Sequence, residues 1–469
     1  MRRLSNETLA QVRSEVIRPA YDRAATRIGV VHFGPGAFHR AHQAWYVDRA
    51  LSVDPGLAIS AVSLRSDTLR AALAPQDGLY SLTEREADPT VRVIGAIKEV
   101  LTAPASPEAV FARLADPAVR LVTATVTEKG YCLTGSGELD LDHPEIRHDL
   151  RAETPQTLAG WLTEGLKRRR AAGHGGLAAI SCDNLSGNGT LLGRAVSSFA
   201  RARGEAGLAD WIEGEVAFPN SMVDSITPAT DEALRAQAAE RLGLTDAWPV
   251  QRERFTQWVV EDRLGAEADV LAAAGVTLAQ DVADFERAKL RLLNGAHSTL
   301  AYVGLGLGYQ TVAQAMADPV LAGFIERLMR EDIAASLKPT AGLDLDAYIA
   351  AILRRFRNPA ISHQLSQIAW DGSQKLPLRL GGTIAEALDG GRPVDRLATG
   401  IAAWIAFVRR QTLTGVAIVD PLRERLAAAS GLEGADFLDA VGVFSPELSA
   451  APAFRRAVAD ARDGTGLLA

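Results

Sequence analysis

The stretch from Ile28 to Phe38 constrains this chain more than any other. An unbroken apolar run, Ile28-Gly-Val-Val-His-Phe33, is followed at once by Gly34-Pro-Gly36 and then by Ala37-Phe38-His-Arg. A short run of this kind reads as a strand buried on both faces, which belongs to a parallel sheet. Glycines straight after such a strand mark a tight turn into a helix, here starting near Phe38. Further apolar runs at 57–64, 121–127 and 177–182 alternate with amphipathic segments at 41–51 and 107–114. Strands alternating with helices predict an α/β Rossmann-type domain with helices on both faces of a parallel sheet.

The second half differs. From about residue 281 the chain is rich in Ala, Leu and Arg at helical spacing, so 311–356 and 395–412 read as helices, with breaks at Pro319, Pro359 and Pro377. The expectation is therefore a nucleotide-binding domain over 1–285 and a mostly helical substrate domain over 286–469. Residues 264–280 read as the connecting stretch. A chain of 469 residues is long enough for both.

Composition excludes several function classes. The net charge of −7 leaves no overall basic surface for nucleic acid, and Lys167-Arg-Arg-Arg170 closes an amphipathic segment as a helix C-terminus would. Two cysteines, Cys132 and Cys182, give neither a disulfide framework nor a CxxC metal site. No run approaches the roughly 18 apolar residues of a membrane span, and the N-terminus lacks the apolar core of a secretion signal. The expectation is a cytoplasmic protein with a small-molecule partner, without nucleic acid or membrane, as a monomer or small homo-oligomer.

The glycine turn suits a dinucleotide. Phe33, Gly34, Gly36, Ala37 and Phe38 would bring backbone N–H groups to a pyrophosphate, although His39 stands where the third glycine of GxGxxG belongs. Asp67, beyond the second strand, could bind the adenosine ribose and favour NAD; it could equally cap the helix from Thr68. Arg65 leaves NADP as the lesser alternative.

A second constellation lies in Glu286-Arg-Ala-Lys289-Leu-Arg-Leu-Leu-Asn294-Gly-Ala-His297. At 100° per residue, Glu286, His297 and Asn294 lie about 60°, 80° and 140° from Lys289 on one broad helix face. A lysine on a half-buried face has its pKa lowered toward that of a general base. A buried helix whose polar groups satisfy one another is the plainer alternative. Asn184 and Asn188 follow the strand at 177–182, where loops of α/β sheets collect ligands, and Asp224 lies in a Pro-bounded polar loop. Tyr-x-x-x-Lys, HExxH and any zinc-ligand spacing are absent from the sequence, so no metal is expected.

The motifs GPGAFHRAHQ (34–43), TVTEKGYC (125–132), SCDN (181–184), FPNSMVDSITP (218–228), KLRLLNGAHS (289–298) and DGSQKLPLR (371–379) together resemble the mannitol dehydrogenase family of polyol-specific long-chain dehydrogenases. The resemblance implies NAD as cofactor and no metal. It implies Lys289 as acid/base, Asn294 and Asn184 as holders of the alkoxide, His297 as the substrate-orienting group, and Glu128 and Glu286 in support. Within the family, Lys129 leans toward the branch that reduces the hexuronate D-fructuronate to D-mannonate. Lys129, Lys375 and Arg379 would then meet the substrate carboxylate, with Asp224 also at the substrate. The D-mannitol/D-fructose pair or another polyol is the alternative substrate. A catalytically silent NAD-binding sensor is the alternative of another class.

Overall fold

The computed structural model describes residues 1–461. It separates into two compact units, Met1–Ala283 and Asp284–Ala469.

The first unit is built on five strands: Ile28–Phe33 (β1), Ala58–Ser63 (β2), Ile97–Thr102 (β3), Leu121–Ala124 (β4) and Ala178–Ser181 (β5). All pair in parallel, in the spatial order β3-β2-β1-β4-β5. Both faces are buried, which is why β1 reads as continuous apolar sequence. Val30, Ile59, Leu121 and Ile180 pack into one core, and Val31, Phe33, Val62 and Val122 into a second. The chain steps from β3 across to β4, so its direction of winding reverses at β1. The carboxyl ends of β1 and β4 therefore flank the crevice where open α/β sheets take ligands.

Two expectations need correction. β3 is absent from the predicted strands because it is an edge strand: Lys98 is exposed and Glu99 half-buried, which breaks the apolar run. Residues 264–280 are no connector. Within them Thr277–Ala279 forms a strand parallel to Gln257–Glu261, which runs antiparallel to Ser221–Asp224. A third small sheet joins Thr90–Ile94, Tyr80–Arg85 and Val250–Glu253.

The second unit is helical among the described residues apart from turns and isolated bridges. Its central rod is continuous: α-helix over Ala283–Ala288, a π-helical stretch over Lys289–Gly295, and α-helix again over Ala296–Gly306. The long helix Asp395–Thr414 packs against it. Pro319 does start a new helix, capped by Asp318. Pro377 breaks nothing: it opens a further π-helical stretch, Pro377–Gly381, inside a continuous helix. No helix among the described residues is long and apolar enough to cross a membrane.

Candidate active site

In the first unit the expected residues gather along the carboxyl edge of the parallel sheet. Gly34 follows β1 directly, with φ of +83°. A Cβ there would stand 2.1 Å from the Thr125 carbonyl oxygen, so the fold itself demands glycine. Gly36 is different. Its φ of −69° suits any residue, and a Cβ would have only the Gly34 oxygen, at 3.8 Å, within 4 Å. Nothing in the protein fills that space, so Gly36 leaves an open approach to the exposed turn, as a pyrophosphate requires. The helix Ala37–Ala41 begins immediately, directing its first N–H groups at the turn. Phe33 can contribute only its backbone, because its side chain is fully buried in the core. Phe38 is half-buried and stacks on His42. His39, in the place of the missing third glycine, lies flat on His32 of β1 with ring centroids 3.3 Å apart. A stacked imidazole pair thus replaces the close helix–strand contact that glycine usually allows.

Asp67 sits at the N-cap position of the helix Thr68–Leu73 without capping it. Its carboxylate instead accepts from Arg70 (2.6 and 3.0 Å) and from the Thr102 hydroxyl (2.5 Å), and these hydrogen bonds lower its pKa. Arg65 is tied to Glu145 at 2.7 Å.

Glu128 and Lys129 lie, both exposed, on the 3-10 turn Glu128–Tyr131 just beyond β4. That loop is bracketed by Asp183, a residue the sequence reading passed over. Asp183 accepts from the N–H groups of Val126 (3.0 Å) and Thr127 (2.8 Å) and from the Tyr131 hydroxyl (2.7 Å). Burial raises its pKa while these three hydrogen bonds oppose the shift. The two asparagines of the next loop separate cleanly. Asn188 is fully buried, donates to the carbonyls of Asp183 (2.9 Å) and Ser221 (2.8 Å), and accepts from the Ser221 N–H (2.9 Å). It splices two loops together. Asn184 is exposed on the loop after β5. Asp224 is buried at the end of its strand.

In the second unit Glu286, Lys289, Asn294 and His297 are all half-buried, while Leu292, Leu293 and Leu300 are buried. The expected angular spacing needs correction, because 100° per residue holds only for an α-helix. Over Lys289–Gly295 the bonding pattern is i→i+5. Residues five apart then stand one above the other, so Asn294 comes onto the same side as Lys289 instead of about 140° around. Arg291, held by Glu386 at 2.6 Å through two nitrogens and by Ser336, anchors this stretch.

His297 stacks on Phe356 and meets His363 edge-on, and its Nε2 is buried without a partner. Its pKa lies well below the ordinary histidine value, first through burial and then through His363, Arg379, Arg355 and Lys375. The ring is neutral near pH 7. Lys375 and Arg379 thus lie near enough to His297 for their charges to act on it. Arg379 donates to Ser298 (2.9 Å), and Lys375 reaches toward the Ile368 carbonyl at 3.5 Å and Asp371 at 4.0 Å. Burial lowers the pKa of both.

Among the described residues one trio, Cys132, His143 and Glu145, has metal-ligand chemistry within 4.8 Å. Its donors are committed elsewhere: Glu145 to Arg65, His143 Nδ1 to the Glu145 N–H, and the Cys132 thiol pushed up to about 11 by burial.

A five-stranded parallel sheet with a glycine turn at its switch point is the architecture of a dinucleotide-binding domain, and the helical unit that follows carries lysine, asparagine and histidine on one rod. Residues 28–271 match the mannitol dehydrogenase Rossmann domain, and 281–464 the mannitol dehydrogenase C-terminal domain. The chain is 38% identical to a mannitol 2-dehydrogenase of Aspergillus fumigatus, covering 98% of this chain and 97% of that one. It is 40% identical to a polyol:NADP oxidoreductase of Gluconobacter oxydans over 87% and 85% of the two chains. Among solved structures, a substrate-free D-sorbitol dehydrogenase superposes with a TM-score of 0.92 at 34% identity over 99% of both chains. The Pseudomonas fluorescens mannitol 2-dehydrogenase, in ternary complex with NAD and D-mannitol, gives 0.79 at 37% over 99% and 98%. The chain belongs to the mannitol dehydrogenase family and is an oxidoreductase acting on CH–OH groups.

Proposed function

We propose that the protein interconverts D-mannitol and D-fructose, with Lys289 as the acid/base. The observation that carries the chemistry is the half-buried stripe of Glu286, Lys289, Asn294 and His297 on one helical rod, with a neutral imidazole at its end. The relatives support the hexitol: several, at 37–38% identity over nearly the whole chain, are mannitol 2-dehydrogenases. The D-fructuronate expectation leaned on Lys129, which is exposed and not the desolvated cation that a buried carboxylate would need. Its remaining support is Lys375 and Arg379 beside His297, and that keeps it as the second reading.

NAD, when bound, supplies the acceptor for the carbinol hydride. Lys289 takes the hydroxyl proton in oxidation and returns it in reduction. Asn294 donates a hydrogen bond to the oxygen as negative charge grows on it, which stabilises the transition state by a fixed dipole. Neutral His297 offers a hydrogen-bonding nitrogen that orients the substrate hydroxyl without competing for the proton.

The test is a substrate panel. D-fructose reduction should exceed D-fructuronate reduction in kcat/KM by at least about tenfold, the scale on which a site separates substrates differing in one group. A preference for D-fructuronate by that margin would reverse the assignment and leave Lys289 in place.

Asp67 is proposed to bind the adenosine ribose and to repel a 2′-phosphate. Asp67→Ala should therefore weaken NAD and improve NADP relative to it, read as the ratio of the two kcat/KM values. An unchanged ratio would remove Asp67 from cofactor selection.

A further inference from the structure

Beneath the glycine turn lies a chain of hydrogen bonds whose direction can be worked out. The Thr125 hydroxyl donates to the Gly34 carbonyl at 2.7 Å. Its oxygen must then accept from His32 Nε2, 3.1 Å away, which puts the imidazole proton on Nε2. A neutral histidine carries one ring proton, so Nδ1 is an acceptor and takes the Thr123 hydroxyl proton at 2.7 Å. His32 is fully buried, and burial holds its pKa down to about 3, so the ring keeps this single proton throughout the working range. His39 covers its outer face.

The receiving end is the peptide that gives the turn its shape. The Gly34 carbonyl also accepts from the Gly36 N–H at 2.7 Å, and the Gly34 N–H donates to Val62 at 3.0 Å. The Thr125 N–H donates to the Phe33 carbonyl at 2.9 Å, tying β4 to β1 at the same level. The left-handed Gly34 is thus gripped on both its peptide groups, by backbone on one side and by the Thr125 hydroxyl on the other.

We propose that Thr123, His32 and Thr125 form a hydrogen-bonded relay that holds the Gly34–Gly36 turn in the shape that takes the NAD pyrophosphate, which makes Thr125 and His32 positioning residues for the cofactor. The proposal rests on the reading of this turn as the pyrophosphate cradle. A hydroxyl is needed at 125 because only a group that donates to Gly34 while accepting from His32 closes the relay. Valine would fill the same volume and remove the hydroxyl that bridges His32 Nε2 to the Gly34 carbonyl.

The test uses the full chain and NADH binding followed by fluorescence titration, alongside steady-state kinetics. Thr125→Val should raise the NADH Kd about five- to tenfold, the scale of one lost hydrogen bond. At saturating cofactor kcat should stay within about threefold of wild type, because the relay touches no reacting atom. Thr125→Ser, which keeps the hydroxyl, should restore Kd. Should Thr125→Val fail to fold, Thr123→Val is read by the same criteria, since it removes only the donor to His32 Nδ1. Gly36→Ala is the control for the cradle: its methyl meets nothing in the protein closer than 3.8 Å, yet it would stand in the path of a pyrophosphate. If Gly36→Ala weakens NADH while the valine variant binds normally, the relay is overturned and the cradle stands. If neither variant weakens NADH, the turn is not the cradle and the relay falls with it. A valine and a serine variant equally weak, or a loss confined to kcat, would also overturn the proposal.

Discussion

Lys289→Ala should lower kcat by about 10²–10⁴, the span that general acid–base catalysis contributes, while the NADH Kd stays near that of wild type. The reason lies in where the residue stands. Lys289 opens the π-helical stretch of the helical unit, whereas the glycine turn belongs to the Rossmann unit, so the substitution leaves the turn's own hydrogen bonds intact. Lys289 is half-buried on that rod. The measurement is kcat for D-mannitol oxidation beside a fluorescence titration with NADH. Activity within tenfold of wild type would remove Lys289 from the acid/base role.

Asn294→Ala should cost about 10²–10³ in kcat, as loss of one oxyanion donor does elsewhere, with thermal stability little changed because the residue is half-buried. The informative contrast is Asn188→Ala. Asn188 makes three hydrogen bonds inside the fold, and its removal strands Ser221 and Asp183 backbone groups in the interior. Each stranded group costs about 1–3 kcal/mol, so the Asn188 variant should melt earlier. An Asn294 variant that melts early and keeps its kcat would make Asn294 a packing residue.

These two asparagines show how far residue type alone can be read. SCDN and the residues after it present Asn184 and Asn188 as equal candidates, since both follow a buried strand. Only the approach of the loop over 218–221 consumes Asn188, and that approach joins segments some thirty residues apart. The same holds for Asp183, which looks like any loop acid until Val126, Thr127 and Tyr131 converge on it from the preceding strand's loop. Buried ion pairs are equally invisible. Val250–Glu253 contains a fully buried arginine, Arg252, whose partner Glu84 comes from another strand, so the segment carries no apolar pattern to announce it.

Periodicity has its own limit. Apolar spacing locates the helical rod through Lys289, but a single π-helical turn shifts the register without changing the composition. The common side of Lys289 and Asn294 therefore rests on an i→i+5 pattern that 100° per residue does not describe. Arg291, clamped by Glu386 and Ser336, secures that stretch from outside it.

The continuous apolar strands and the glycine pair after β1 were legible in the chain as written, because burial on both sheet faces and backbone freedom each demand particular residue types at short range. Which asparagine remains at the loop surface, how Asp67 is held by Arg70 and Thr102, and why Gly34 has a hydroxyl beneath it follow from contacts between distant segments. A side chain's partners are set by what folds against it, and no local pattern records that.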